Sequence, residues 1–264
     1  MDNPTPPSVV LHPTAIIHPG AELGEGCEVG PYCIIGPRVR LGPGCRLHSH
    51  VVIDGDTRLG RQNEVFPFAT LGTRTQDLKW RGGETRVEIG DHNTFREYVT
   101  VHAATQEGEA TVIGSHNNLL AYTHVAHDCR LGNHIIMSNL AQIAGHVTIE
   151  DGAILGGMSA IHQFARVGRL AMVAACTPVR QDVAPFMLVT GDPAQTLKAN
   201  VIGLERAGLS PEAIRALNQA YRILFREGLS IPNALARLET ELAASPEVQH
   251  LIQFVRSSER GVTK

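Results

Sequence analysis

The sequence predicts a mainly β fold, a parallel β-helix shaped as a triangular prism, followed by a C-terminal α-helical domain. Two observations carry this reading. An aliphatic residue returns every six positions through most of the 264-residue chain, and from about residue 210 the apolar spacing becomes helical. Composition agrees: 26 Gly and 15 Pro with only 5% aromatics suit short repeated turns around an aliphatic core.

The aliphatic column starts at Leu11 and runs through Ile17, Leu23, Val29 and Ile35 to Leu71. It resumes at Ile89, Phe95 and Val101, then runs from Ile113 to Val179. Two residues before each member stands a small or narrow one, such as Ala15, Cys27, Cys33, Cys45, Cys129 and Ala171. Three hexapeptides make one coil of eighteen residues, and successive coils stack at the ~4.8 Å spacing of a sheet. Both columns then point into the prism. Glycine often follows the aliphatic residue, as at Gly30, Gly114 and Gly156, where it permits the positive φ or tight turn that a corner is expected to require. Four of the five cysteines occupy the small column, which reads as core packing rather than redox chemistry.

Two polar segments, 73–86 and 103–110, interrupt the beat inside a prism domain expected over residues 1–191. The first carries Asp77, Lys79, Arg81 and the single Trp80, a content that favours covering a ligand. The helical domain is expected over 192–264. Ser210-Pro211-Glu212 and Ser245-Pro246-Glu247 are helix starts, Ser230 with Pro232 begins another, and three helices follow. Arg215, Arg222 and Arg226 fall on one helix face, either a solvated face or a docking strip for an acidic partner.

A formal charge of −3 gives no basic field for nucleic acid. No apolar run approaches the ~20 residues of a membrane span, and no secretory signal is expected at the N-terminus. Five cysteines without CxxC spacing suit reduced thiols in a cytoplasmic protein.

Most of the thirteen histidines read as structural. His12, His18 and His48 are corner residues, His92, His116 and His134 occupy turns, and His250 is expected to be exposed. The exception is the stretch Ala121–Gly132, which holds His124, His127 and Asp128. Counting in eighteens puts His146 above Asp128, and Gly145 and Gln163 above His127, with His162 beside Gln163. A histidine next to a carboxylate suits a general base, and a Gly N–H beside it could face an oxyanion. No serine or cysteine pairs with His127, so direct transfer is favoured over a covalent acyl-enzyme.

With the repeat in place, the segments A-H-D-C-R-L-G, A-G-H-V, I-H-Q-F, Q-D-L-K-W and N-V-I-G-L-E-R-A-G together resemble the UDP-N-acetylglucosamine O-acyltransferase family over nearly the whole chain. The resemblance implies a left-handed parallel β-helix and a cytoplasmic homotrimer with active sites between neighbouring prisms. It also implies transfer of an (R)-3-hydroxyacyl chain from acyl carrier protein to the 3-hydroxyl of UDP-N-acetylglucosamine, the first step of lipid A biosynthesis, without cofactor or metal. By motif, His127 would be the general base, Asp128 its orienting partner and Gly145 the oxyanion amide. His102, His124, His146, His162, Gln163, Asn200 and Arg206 would line the substrate sites with Asp77 and Lys79. Ala175 would be the acyl-chain ruler. The chain has Ala174-Ala175-Cys176 where the family often has Gly-Gly-Cys, so its preferred acyl chain should be shorter. Ile202 stands where a glutamate is expected, which puts one polar contact in doubt.

Three rival readings fit the sequence less well. The N-acyltransferase of the same pathway carries an extra N-terminal domain, for which a repeat beginning at Leu11 leaves no room. A trimeric zinc carbonic anhydrase needs three neutral imidazoles, of which His124 and His127 supply two, and leaves Asp128 unexplained. A purely structural solenoid would not cluster polar side chains in its late coils.

Overall fold

The computed structural model describes residues 8–264. Its first part is a left-handed β-helix in which each coil gives one short strand to each of three sheets, of eleven, nine and eight strands. Pairing within the prism is parallel and repeats at eighteen: Val125 lies beside Ile143, and Ile143 beside Ile161. The register widens only across the insertions. Leu71 pairs with Val101 and Val101 with Val125, so the extra residues are thrown outward while the column stays in phase.

Both sequence columns face inward. Cys27, Cys33, Cys45 and Cys129 are fully buried, and each thiol donates to a carbonyl of the next coil, as Cys33 does to His48 at 2.8 Å. Val183 and Val189 extend the core beyond Val179, six residues apart after one four-residue step that hid them from a strict six-fold count. Strand Met187–Thr190 closes the eleven-stranded sheet and turns back antiparallel into Gln195–Ala199. The expected division at 191/192 falls in that turn.

Among the glycines that directly follow the aliphatic column, Gly72 has positive φ, at 81°, but the others do not. Gly30 and Gly114 do not have positive φ; a Cβ on either would sit 2.7 and 2.4 Å from a carbonyl oxygen of the next coil. Close approach of coils explains them. The left-handed residue comes two positions later and is seldom glycine: Tyr32, His50, Phe68, Tyr98 and Tyr122 on one edge, His92, His116 and His134 on the second, and Asp128, His146 and Phe164 on the third. Each such residue costs about 1–2 kcal/mol. Stacking offsets it: rings from Tyr32 to Tyr122 follow one another at 4.7–5.0 Å, worth about 0.5–1.5 kcal/mol per pair. His92, His116 and His134 stack in the same way at 4.9 Å, so these turn histidines are structural.

Inside the prism, Asn63, Asn93 and Asn117 replace the small residue in three successive coils. Asn93 donates from its backbone to Asn63 Oδ1 at 2.9 Å and from Nδ2 to Gly114 O at 3.0 Å, and its Oδ1 accepts from Asn117 N–H at 2.9 Å. The ladder satisfies backbone N–H and C=O groups that face the interior at these corners.

The C-terminal segment contains α1 (Val201–Arg206), α2 (Pro211–Phe225), α3 (Ile231–Glu241) and α4 (Pro246–Arg256). The last three are the expected helices, with Ser210, Ser230 and Ser245 as N-caps. The short α1, before 210, lacks a periodic signal. Their apolar faces form a second core that includes Phe186 and Met187. On α2, Arg215 pairs with Glu212, while Arg222 and Arg226 are exposed. Asp182, 1% exposed, accepts from the Arg166 backbone and guanidinium and from Ser258, and Arg166 reaches Phe254 O, which clamps α4 to the prism. His250, expected to be exposed, is instead half-buried and bonded to Glu150 at 2.8 Å, because α4 lies against the last coils.

Asn93→Ala should therefore destabilise the prism by about 3 kcal/mol, since it orphans two buried backbone groups. Urea unfolding followed by circular dichroism measures this.

Candidate active site

Strand His124–Val125 belongs to the nine-stranded sheet, and its corner carries Ala126, His127 and Asp128. The repeat fixes the direction of each side chain. His124 points out from the flat face, His127 stands at the turn and Asp128 has φ 61°. In the next coil Gly145 lies against the imidazole: a Cβ there would be 2.3 Å from His127 Cε1. Glycine at 145 makes room for the ring. Its N–H has no hydrogen-bond partner among the described residues.

Asp128 is nearly buried and accepts from His127 Nδ1 at 2.7 Å. An ionised carboxylate can only accept, so the imidazole proton lies on Nδ1 and the Nε2 lone pair faces the cleft. Both Asp128 oxygens also accept from the Thr105 N–H at 3.2 Å, and the Asp128 N–H donates to Thr111 Oγ1 at 2.9 Å. His146 stands above Asp128 with Nε2 3.6 Å from its carboxylate, and its ring stacks on Phe164 at 4.5 Å. On the far side, Asp77 Oδ2 lies 4.0 Å from His127 Nε2.

His127, Gly145 and Asp77 line a cleft of about 700 Å³ with Leu78, Lys79, His102, His124, Gln142 and Gln163, while Asp128 and His146 stand behind its wall. The insertion at 73–86 thus covers the histidine corner. Burial pushes His124 down to about 4, with His102 and His127 adding to the shift and a hydrogen bond with Thr100 opposing it. Burial, then His127, also lowers His102, whose Nδ1 is buried without a partner. Both flanking imidazoles are neutral at neutral pH, so neither adds a like charge when His127 takes a proton. The Lys79 N–H bonded to its carboxylate, more than the nearby His127 and Lys79 charges, holds Asp77 below the usual carboxylate range. Burial pushes the Cys129 thiol up to about 12, which suits packing and not nucleophilic attack.

Not every expected site residue gathers here. His162 is exposed, lies outside the cleft lining and sits 3.3 Å from Arg260. Asn200 caps α1 and donates to Leu170 O at 3.0 Å, and Arg206 is exposed at the end of that helix. Ala175 follows strand Met172–Val173 of the eleven-stranded sheet, on a different edge. Within one chain Ala175, Asn200 and Arg206 do not reach the cleft around His127. Ile202 lies exposed on α1. His127, Asp128 and His146 offer ligand-type atoms within 4.8 Å of one another and could hold a metal ion, although two imidazoles and one carboxylate are not a three-imidazole set.

Known proteins resemble this chain over most of its length. The family model described as UDP-N-acetylglucosamine O-acyltransferase, domain 2, matches residues 182–263, and the bacterial transferase hexapeptide model matches 20–55. The acyl-[acyl-carrier-protein]–UDP-N-acetylglucosamine O-acyltransferase of Thermodesulfovibrio yellowstonii is 47% identical over 84% of this chain and 86% of its own length. The chain belongs to the UDP-N-acetylglucosamine O-acyltransferase family. A Synechocystis member is 45% identical over 79% of this chain and 75% of its own. The LpxA structure from Acinetobacter baumannii superposes with a TM-score of 0.93 at 43% identity, covering 97% of this chain and all of that one. That from Moraxella catarrhalis gives 0.92 at 38% identity, over 96% of this chain and 99% of that one. Within this family fold, the threonines that hold Asp128 were not legible from spacing: Thr105 lies in an insertion, where counting in eighteens has no force, and Thr111 hides in the small column.

The depressed His124 makes a pH prediction. The unfolded chain binds its proton near 6.5 and the folded one only near 4, so this contribution is complete above pH 6.5 and is lost as pH falls towards 4. His124→Asn should flatten that part of the profile of thermal stability against pH, measured by calorimetry.

Proposed function

We propose that this chain transfers an (R)-3-hydroxyacyl group from acyl carrier protein to the 3-hydroxyl of UDP-N-acetylglucosamine, the first step of lipid A biosynthesis. The observation that carries this is the His127–Asp128 pair at 2.7 Å, with Nε2 open to the cleft, in a chain of this family. His127 Nε2 takes the proton of the sugar hydroxyl as its oxygen attacks the thioester carbonyl. Asp128 holds the tautomer and stabilises the imidazolium. The unpartnered Gly145 N–H supports an oxyanion role for the tetrahedral intermediate. The C–S bond then breaks, and the thiolate of the carrier arm leaves with the proton held by His127. No protein nucleophile is needed, which agrees with the inert Cys129.

Asp77 and Lys79 in the covering insertion suit the sugar hydroxyls and the diphosphate, and His102, His124, His146, His162 and Gln163 the rest of the two substrates. Asn200, Arg206 and Ala175 take part if they come from a neighbouring chain, which supports a homotrimer with shared clefts. So does the exposed apolar ladder of Tyr32, Phe68, Tyr98, Tyr122, Leu140 and Met158 on the edge that carries Ala175. No described helix is long and apolar enough to cross a membrane, and a cytoplasmic location fits a carrier-protein donor.

His127→Ala should lower kcat at least ~10²-fold while leaving the circular dichroism spectrum intact. Near-normal turnover in that variant removes the mechanism. Carrier proteins loaded with a ladder of 3-hydroxyacyl chains test the reaction and chain length together. Ala175→Gly should move the optimum to longer chains; an unchanged optimum removes the ruler assignment.

A further inference from the structure

The two insertions leave the prism at the same corner, in consecutive coils directly below the coil of His127 and Asp128. Each ties to the next through a buried threonine. The Thr105 N–H, from the second insertion, donates to both oxygens of Asp128 at 3.2 Å. Thr105 Oγ1 meets Thr75 Oγ1, from the first insertion, at 3.1 Å. Thr75 Oγ1 accepts from the Asp77 N–H at 3.0 Å, which leaves its own hydrogen for Thr105. The Lys79 N–H then holds Asp77 Oδ1 at 2.9 Å, and Asp77 Oδ2 stands 4.0 Å from His127 Nε2. The chain of bonds starts from the carboxylate on the Nδ1 side of His127 and returns to the carboxylate on its Nε2 side.

The geometry points to Thr75 and Thr105 as positioning residues that set the covering insertion, through Asp77, against the open nitrogen of the catalytic histidine. Burial gives the link its force: Thr75 is 5% exposed and Thr105 6%, so water does not compete for the hydroxyl pair. Geometry makes it necessary. Asp77 is too far from His127 for a hydrogen bond, and Leu78 beside it is 94% exposed and anchors nothing. The far end of the insertion is held separately by the Gly108 N–H on Glu84 O. The threonine pair therefore sets where Asp77 stands at the cleft, and with it where an acceptor sugar is held relative to Nε2. This inference rests on the acyltransferase function proposed above.

Thr75→Val and Thr105→Val keep the side-chain shape and remove the hydroxyl, and in Thr105→Val the N–H on Asp128 remains. Each should raise KM for UDP-N-acetylglucosamine about five- to tenfold, the worth of one buried hydrogen bond, with kcat changed less. Thr75→Ser and Thr105→Ser should restore KM. The double valine variant should be no worse than Thr75→Val alone, because that variant already removes the threonine–threonine bond together with the acceptor of the Asp77 N–H. Trp80, the only tryptophan and part of the same insertion, gives a readout independent of substrate: its emission should shift in both valine variants and return in the serine ones. Valine variants with unchanged KM and unchanged Trp80 emission overturn the proposal. So do equal losses in kcat and in KM for both substrates, or singles whose effects multiply in the double variant. If the unmodified protein transfers no acyl group to UDP-N-acetylglucosamine, the function proposed above fails instead, and the Trp80 emission alone decides whether the link exists.

Discussion

The interior of the prism admits one small and one aliphatic side chain from each strand, and the rest of the molecule follows from that limit. A coil can change length only by pushing residues outward at a corner. This keeps Leu71, Val101 and Val125 in line across thirty and then twenty-four residues. The stack also sets the corner conformation, in which a bulky residue takes the left-handed region and is held by the ring or chain above and below it. Asp128 and His146 are members of such a stack. The His127–Asp128 pair is thus carried on the repeat geometry, with polar side chains replacing the aromatic rings used on another edge.

Rigidity at the corner and adaptability beside it are supplied by different parts of the chain. His127 and Asp128 are fixed by strands, by Gly145 above and by Thr111 in the wall. Asp77 and Lys79 come from an insertion without regular structure, tied to the corner by few bonds. Electrostatics sharpens the division. Burial keeps His102 and His124 neutral, while Asp128 gives His127 a hydrogen-bonded carboxylate partner. Of His102, His124 and His127, only His127 has a hydrogen-bonded carboxylate, the feature that the proposed base role requires.

Sequence spacing located the corner because the fold is periodic. Asp128 beneath His146, and Gly145 against the His127 ring, followed from the number eighteen: His146 Nε2 lies 3.6 Å from Asp128, and the ring leaves no room for a Cβ at 145. Spacing failed where period and contact part company. Positive φ does not explain glycines such as Gly30, which close approach of the next coil decides. His250 looked like an exposed helical residue because nothing in a helix sequence says which prism coil it will meet. The hydroxyl pair of Thr75 and Thr105 joins two aperiodic segments, and no repeat could align them.

The sequence by itself determined the prism, its core columns, the helical end and the pairing of His127 with Asp128, because each is a local or strictly periodic consequence of side-chain order. The tertiary structure alone decided which residues outside the repeat come to that pair. It draws Asp77 to Nε2 and Thr105 to Asp128, and leaves Ala175, Asn200 and Arg206 away from the cleft of their own chain. The path of an insertion, and the docking of a helix on a coil, depend on contacts between segments that share no period.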